Sequence, residues 1–195
     1  MIRGGFEYHV TVCEREKKEV AALAAWAGER GVKFTHILLA RGEVRSQPML
    51  TVRAEGTTAA VLEKAEAMVA ELRSAGFDVV RVKLEASPFA EGVPATAEPG
   101  CYFEHHAKLL LPAGCDEAAL AAMVMPHGAH LSRNARRVRE DGLGERFVTQ
   151  RCGDAAVGRL DALIRDLRAA EYDVVGVERE YVVYDDRLSV DEGWI

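Results

Sequence analysis

The chain has 195 residues, of which 49% are hydrophobic, and its formal net charge is −6. This length and apolar content suffice for one compact body or two small lobes. The acidic balance argues against an extended nucleic-acid surface, and no apolar run approaches the roughly 20 residues of a membrane-spanning helix. Scattered cysteines without C-x-x-C spacing, and an N-terminus without an apolar leader, favour a cytoplasmic protein.

The first half of the chain, residues 1–86, alternates strand and helix patterns in the order β-α-β-β-α-β. Strands are predicted over 6–13, 33–41, 49–54 and 77–85, with a turn from Gly42 to Pro48. One helix is predicted over about 15–30, and a second between a cap at Thr57 or Thr58 and a stop at Gly76. This order is typical of a ferredoxin-like unit.

The second half, residues 102–195, repeats that order after a proline-rich linker at 87–101. Strands are predicted at 102–111, near 129–138, at 145–151 and from Asp173, and helices at about 115–125 and 154–170. An acidic C-terminal tail follows, whose Trp194 and Ile195 are expected to dock on the body.

Polar residues also recur in register between the two halves. Glu104 follows Glu7 by 97 residues, Thr149 follows Thr51 by 98, and Glu180 follows Glu85 by 95. The sequence therefore predicts an α+β fold in which tandem ferredoxin-like units form a pseudo-two-fold body with a central cleft.

Strand alternation predicts which of these polar residues face the cleft. Successive side chains point to opposite faces of a sheet, and the apolar set must lie under the helices. The helix-free faces then carry Glu7, His9 and Thr11 in the first half, and Glu104, His106 and Lys108 in the second. Arg53 and Arg151 are expected on neighbouring strands.

This polar set predicts acid–base chemistry on an anion. His9 and His106 titrate near neutral pH and are the candidate acid and base, which Glu7 and Glu104 would orient. Cationic side chains would bind the anion. These substrate-binding candidates are Lys108, Arg53, Arg151 and Arg133.

A divalent metal is the candidate cofactor. His36 and His130 lie on the second predicted strands of the two halves, 94 residues apart. Together with Glu7, His9, Glu104 and His106 they would offer nitrogen and oxygen ligands, a set that suits zinc, iron or manganese.

Two short motifs resemble known phosphate-handling families. His9-Val10-Thr11-Val12 resembles the H-x-T-x motif of the 2H phosphoesterases, which cleave cyclic phosphates or RNA ends without metal in two symmetric lobes. That resemblance implies His9 as acid or base and Thr11 as a phosphate contact, although the second half has Lys108 at the corresponding position. Glu104 to Lys108 is similar to the E-x-E-x-K strand of the triphosphate-tunnel (CYTH) family, with His106 replacing the second glutamate.

A basic segment completes the candidate site in the second half. Ser132, Arg133 and Asn134 are ligand-contact candidates, whereas the arginines that follow are assigned to a solvated hairpin; these are Arg136, Arg137 and Arg139. No G-x-x-x-x-G-K-[ST] or G-x-G-x-x-G loop is present.

Two functions remain open from the sequence. The leading one is a small cytoplasmic enzyme acting on an anionic, phosphate-bearing small molecule or nucleotide, as a phosphoesterase or metal-dependent hydrolase. The alternative is a non-catalytic ligand-binding or protein-interaction module, in which the repeated Glu, His and Arg residues are structural cross-strand pairs.

Overall fold

The computed structural model describes residues 1–135, 141–155 and 158–195. Within them, eight antiparallel strands form a closed barrel with four helices on its outside. The strands are β1 (Arg3–Val12), β2 (Lys33–Leu39), β3 (Ser46–Thr57), β4 (Val79–Ala86), β5 (Tyr102–Leu111), β6 (Ala129–Asn134), β7 (Gly144–Cys152) and β8 (Asp173–Asp185). The helices are α1 (Lys17–Glu29), α2 (Thr58–Ser74), α3 (Glu117–Val124) and α4 (Gly158–Ala169).

The strand order around the barrel is β1-β3-β2-β6-β7-β5-β8-β4, and β4 pairs back to β1. Each half has the same internal order, β4-β1-β3-β2 and β8-β5-β7-β6, which fits the predicted mixed α+β, ferredoxin-like architecture. The halves are joined edge to edge by β2–β6 and β4–β8 pairing. They form one continuous sheet because this pairing satisfies backbone groups that each half would otherwise expose at its edges.

Helix boundaries follow from local signals. The hydroxyl of Thr57 accepts from the amide nitrogen of Ala60 at 3.3 Å and begins α2. Val61, Ala65 and Leu72 of α2 are fully buried at helical spacing against the outer face of the sheet.

Strand β3 begins earlier than predicted and includes Pro48. Pro48 pairs with His36 of β2 and lies one residue beyond the last β1 pair, Thr11 with Met49. Because β1 does not reach Pro48, its missing N–H leaves no bond unmade on that side, and the strand tolerates it.

The apolar cores lie between the sheet and the helices, not inside the barrel. One cluster packs α1 and α2 against the first four strands and extends to Phe103, Cys152 and Tyr181 of the second half. The other packs α3 and α4 against the last four, and includes Leu109 and Leu163. This arrangement leaves the polar side chains of β1, β4, β5 and β8 inside the barrel, where they face apolar side chains of β2, β3 and β7: Ile37, Leu39, Met49 and Phe147.

The C-terminal tail closes one end of the barrel. Trp194 is 5% exposed, and its indole N–H donates to the carbonyl of Leu131 at 2.9 Å. A short 3-10 turn at Leu188–Asp191 directs Asp191 inward. Trp194 docks as predicted, whereas Ile195 remains 44% exposed. Among the described residues, no helix has the length and apolar character to cross a bilayer.

Candidate functional site

The barrel encloses a cavity of about 190 Å³ that residues from both halves line. Glu7, Glu85 and Glu180 line both this cavity and a pocket on the outer surface, which marks the entrance. Asp191 and Trp194 of the tail line the opposite side. The cavity is therefore open at one end and covered by the tail at the other.

His9 is held inside the cavity between two strands. Its Nδ1 lies 2.9 Å from the hydroxyl of Thr51 on β3, and its Nε2 lies 2.8 Å from Oε2 of Glu85 on β4. Strand register explains the arrangement. On β3, His9 is directly opposite Thr51; on β4 it is directly opposite Lys83, and Glu85 follows Lys83 by two residues, so it points to the same face. Both imidazole nitrogens are thus engaged and the ring orientation is fixed.

His106 has the equivalent arrangement in the second half. Its Nδ1 lies 2.8 Å from the hydroxyl of Thr149, and its Nε2 lies 3.2 Å from Oε2 of Glu180 and 3.4 Å from Oε2 of Glu104. Burial alone would lower the pKa of His106, but the hydrogen bonds and charges of Glu104 and Glu180 outweigh it and raise the pKa to about 10. His106 is therefore an imidazolium at neutral pH.

A buried ion network connects the two halves. Lys83 Nζ lies 2.5 Å from Oε1 of Glu85 and 2.6 Å from Oε2 of Glu104, and Arg151 donates to Oε1 of Glu104 at 2.6 Å. Burial opposes ionisation of Glu104, but the charges of Lys83 and Arg151 hold its pKa well below its ordinary value. The network is fully ionised at neutral pH and links β4 of the first half to β5 and β7 of the second.

At the covered end, the carboxylate of Asp191 occupies a cationic cluster. It accepts from Gln47 at 2.9 Å, lies 2.9 Å from Arg81, and also contacts Arg151. Arg81 further donates to Asp185 at 2.9 Å. The guanidinium groups on this side are thus already neutralised by the protein's own carboxylates.

The predicted catalytic residues come together, because Glu7, His9, Glu104 and His106 all line the cavity, as does Thr11. The alternation of side chains along β1 and β5 therefore predicts correctly that these residues face away from the helices. Glu104 pairs with Arg151 and Glu7 with Arg53 as direct cross-strand neighbours, the arrangement expected for structural pairs.

The structure separates several predicted substrate contacts from the cavity. The Arg53 side chain is 88% exposed at the rim, and Lys108 is paired with Glu145 at 2.8 Å. Arg133 lines a groove on the outer surface, because its neighbour Ser132 takes the inward position on β6. Of the predicted cationic contacts, Arg151 alone lines the cavity among the described residues.

The proposed metal ligands His36 and His130 are also separated from the others. Thr35 and Ile37 point inward from β2, so His36 points outward, where its Nε2 lies 2.7 Å from the hydroxyl of Ser46. His130 lies beside Trp194 at the covered end, with its Nδ1 2.9 Å from Arg41. The arginines assigned to a solvated hairpin, Arg136, Arg137 and Arg139, lie outside the described residues.

The partners that orient the two histidines are not among the site residues predicted from the sequence. These partners are Thr51 and Glu85 for His9, and Thr149 and Glu180 for His106. The sequence does carry a signal for them, because Thr149 follows Thr51 by 98 residues and Glu180 follows Glu85 by 95. No comparable signal marks Asp191, which lies in the non-repeated tail.

No protein-family model and no curated protein sequence matches the chain. Several solved structures are similar over nearly the whole chain, at low identity. The acetolactate synthase small subunit of Thermotoga maritima is 14% identical with a TM-score of 0.33, covering 92% of this chain and 94% of that one. A mutant chlorite dismutase from Candidatus Nitrospira defluvii is 11% identical with a TM-score of 0.30, covering 93% and 92% respectively.

Proposed function

We propose that the barrel interior binds a small polar molecule, neutral or cationic, and that the two histidines act on it by acid–base chemistry. The observation that carries this proposal is that two His–Thr–Glu triads, one from each half, face a single cavity. Carboxylate-oriented imidazoles are the groups that general acid–base catalysis uses most often.

The interior charges disfavour the phosphate-bearing substrate that the sequence predicts. Lys83, Arg81 and Arg151 are each bonded to two buried carboxylates, so none of the three offers an uncommitted charge to an anion. A phosphate would also meet the carboxylates at the entrance, Glu7 and Glu180. Like charges repel strongly where water is excluded, whereas a neutral or cationic molecule gains from the same groups.

The histidines have distinct roles in this proposal. His106 carries a proton at neutral pH and donates it to a substrate atom within hydrogen-bond distance. Thr149 fixes the ring and Glu180 stabilises the charged form until the proton leaves. His9, held by Thr51 and Glu85, is the corresponding group on the first half.

One observation favours a second function, a non-catalytic binding module. The Nε2 atoms of both histidines face carboxylates, so proton transfer to a ligand requires the ligand to replace Glu85 or Glu180 as partner. If no ligand does so, the same triads only shape a polar pocket.

The test is 15N NMR of the histidine side chains during titration with small probes. The probes are methylammonium, guanidinium, acetamide, inorganic phosphate and pyrophosphate. Saturable shifts of His9 and His106 with the cationic or neutral probes are expected, while His36, outside the barrel, serves as the internal control. Saturable shifts with phosphates alone would overturn the proposed ligand class, and no shift with any probe would overturn the site.

Catalysis is tested separately from binding. A reaction panel of small esters, amides and amines is screened against the wild type and His106→Gln. Turnover that is lost in His106→Gln, with probe binding retained, supports the enzyme. Binding without turnover in the wild type supports the binding module.

A further inference from the structure

We infer that Glu104, His106 and Glu180 form a site for a divalent first-row transition metal inside the barrel. One ligand atom from each residue lies within 4.8 Å of the others. The inference rests on the proposed function only in that the cavity is a ligand site. A metal on Nε2 of His106 takes the place of the proton that this nitrogen would donate, so in the metal-bound protein His9 is the histidine left for acid–base chemistry. In the ligand set predicted from the sequence, Glu180 thus takes the place of His36 and His130, which lie away from this cluster.

The spacing of the ligand atoms fits metal coordination as well as the hydrogen bonds that His106 makes without a metal. His106 Nε2 lies 3.2 Å from Glu180 Oε2 and 3.4 Å from Glu104 Oε2. Ligands about 2.1 Å from a metal, at tetrahedral or octahedral angles, lie roughly 3.0–3.4 Å from each other. In the first half, by contrast, His9 Nε2 lies 2.8 Å from Glu85, a direct hydrogen bond.

The orientation of His106 is a second, independent observation. The hydroxyl of Thr149 lies 2.8 Å from Nδ1, the nitrogen that faces away from the carboxylates. Metal-bound histidines are fixed in this way, with the second ring nitrogen bonded to an oxygen atom that sets the tautomer. Nε2 is then directed at Glu104 and Glu180.

The charge of the interior supplies a third argument. Among the described residues, the buried ion network, the cluster around Asp191 and the His106 cluster together contain five carboxylates and three cations, which leaves two negative charges before the histidines are counted. These groups are Glu85, Glu104, Glu180, Asp185 and Asp191, against Arg81, Lys83 and Arg151. A divalent cation balances that surplus once it has displaced the proton of His106, because a ligating imidazole is neutral.

Lys83 does not exclude a metal from this site. It shares Oε2 of Glu104 with the proposed ion, but it also bonds Glu85 at 2.5 Å, and a carboxylate oxygen has two lone pairs. One imidazole and two carboxylates suit zinc, manganese or iron better than magnesium, which prefers oxygen ligands alone. Three protein ligands leave a coordination position for a substrate or water.

The experiment is isothermal titration of the metal-stripped protein with zinc, manganese and magnesium chlorides. Zinc and manganese are expected to bind one per chain. Glu180→Gln should weaken binding about 100-fold, since even the loss of outer-shell partners costs about 10–100-fold. Glu178→Gln is the matched control, because Glu178 lies opposite His106 on the same strand as Glu180 and lines the same cavity, but forms no ion pair with the three ligands among the described residues. Its affinity should stay within about threefold of wild type.

A measurement on the wild type keeps the test independent of variant folding. Manganese should broaden the 15N resonances of His106 strongly and those of His36 far less. The inference is overturned if zinc and manganese do not bind at about 1 mM, if Glu178→Gln and Glu180→Gln lose equal affinity, or if His36 broadens as much as His106. Failure here with retained probe shifts at the histidines leaves the proposed function standing, so the two are distinguishable.

Discussion

At the scale of single residues, burial separates two ion pairs that occupy corresponding strands in the two halves. Glu7–Arg53 and Glu104–Arg151 are both direct cross-strand pairs. The two glutamates are 97 residues apart in sequence, and the two arginines are 98 apart. The Arg53 side chain is 88% exposed, whereas that of Arg151 is 15% exposed and contacts both Glu104 and Asp191. Their energetic roles should therefore differ sharply.

Arg151→Met should lower the free energy of unfolding by about 3 kcal/mol, because Glu104 and Asp191, both buried, each lose one of their cationic partners. Arg53→Met, the matched control, should leave stability unchanged within error, because solvent screens the exposed pair. Urea unfolding at neutral pH measures both. Equal effects of the two variants would show that the buried network does not stabilise the barrel.

Asp185 makes stability depend on pH in the acid range. Burial would raise its pKa, but the hydrogen bond and charge of Arg81 outweigh it, so the folded pKa lies below the ordinary value of about 3.9. A depressed folded pKa means that the stabilisation is complete above the unfolded pKa and is lost as the pH falls through the folded one.

We therefore expect the free energy of unfolding to decrease below about pH 4, and Asp185→Asn to flatten that decrease. Urea unfolding between neutral pH and the acid limit measures the slope. Glu63→Gln, which removes an exposed carboxylate on the outside of α2, is the control and should keep the wild-type slope, because solvent screens an exposed charge. An unchanged slope in Asp185→Asn would contradict the assignment.

At the scale of elements, the C-terminal tail acts as a structural cap on the barrel. Gly42, in the turn between β2 and β3, has φ +103°, and a Cβ there would lie 3.0 Å from the carbonyl oxygen of Glu192. The turn and tail thus fit closely, and Trp194 fills the space beneath.

Trp194→Ala should cost about 3 kcal/mol or more, since it removes a buried indole and its hydrogen bond to Leu131. The next residue, Ile195, is 44% exposed, so Ile195→Ala should change the free energy of unfolding by less than about 0.5 kcal/mol. Denaturant unfolding compares the two. If Trp194→Ala is as mild as Ile195→Ala, the tail does not contribute to the folded barrel.

The elements themselves were largely predictable, because each depends on local patterns. Alternation put Glu7 and His106 on the helix-free face, and the side chain of Thr57 caps α2 as expected. The role of Asp191 was not predictable, since its position depends on how an irregular tail crosses the barrel. The outward placement of Arg133 and His36 required the register of short strands, which shifts by one residue too easily to predict.

At the scale of the whole molecule, closure of the barrel makes the two halves one cooperative unit. The pairings that join them, β2–β6 and β4–β8, link residues far apart in sequence and have no local signature. For that reason the sequence predicted a cleft between lobes instead of a continuous sheet. The Lys83–Glu104 and Arg81–Asp185 pairs cross between the halves in addition to the backbone bonds.

Cooperativity can be tested by creating one cavity of similar size in each of the two apolar cores between sheet and helices. Leu72 of α2 and Leu167 of α4 are both fully buried and lie 95 residues apart, the offset of Glu85 and Glu180. Either leucine-to-alanine change should cost about 2–5 kcal/mol. Because the halves share one sheet and one ion network, each variant should shift a single calorimetric transition as a whole, with the calorimetric and van't Hoff enthalpies equal. Two separated transitions in Leu72→Ala, with the later one at the wild-type temperature, would show that the second half folds without the first and that the barrel is not the cooperative unit.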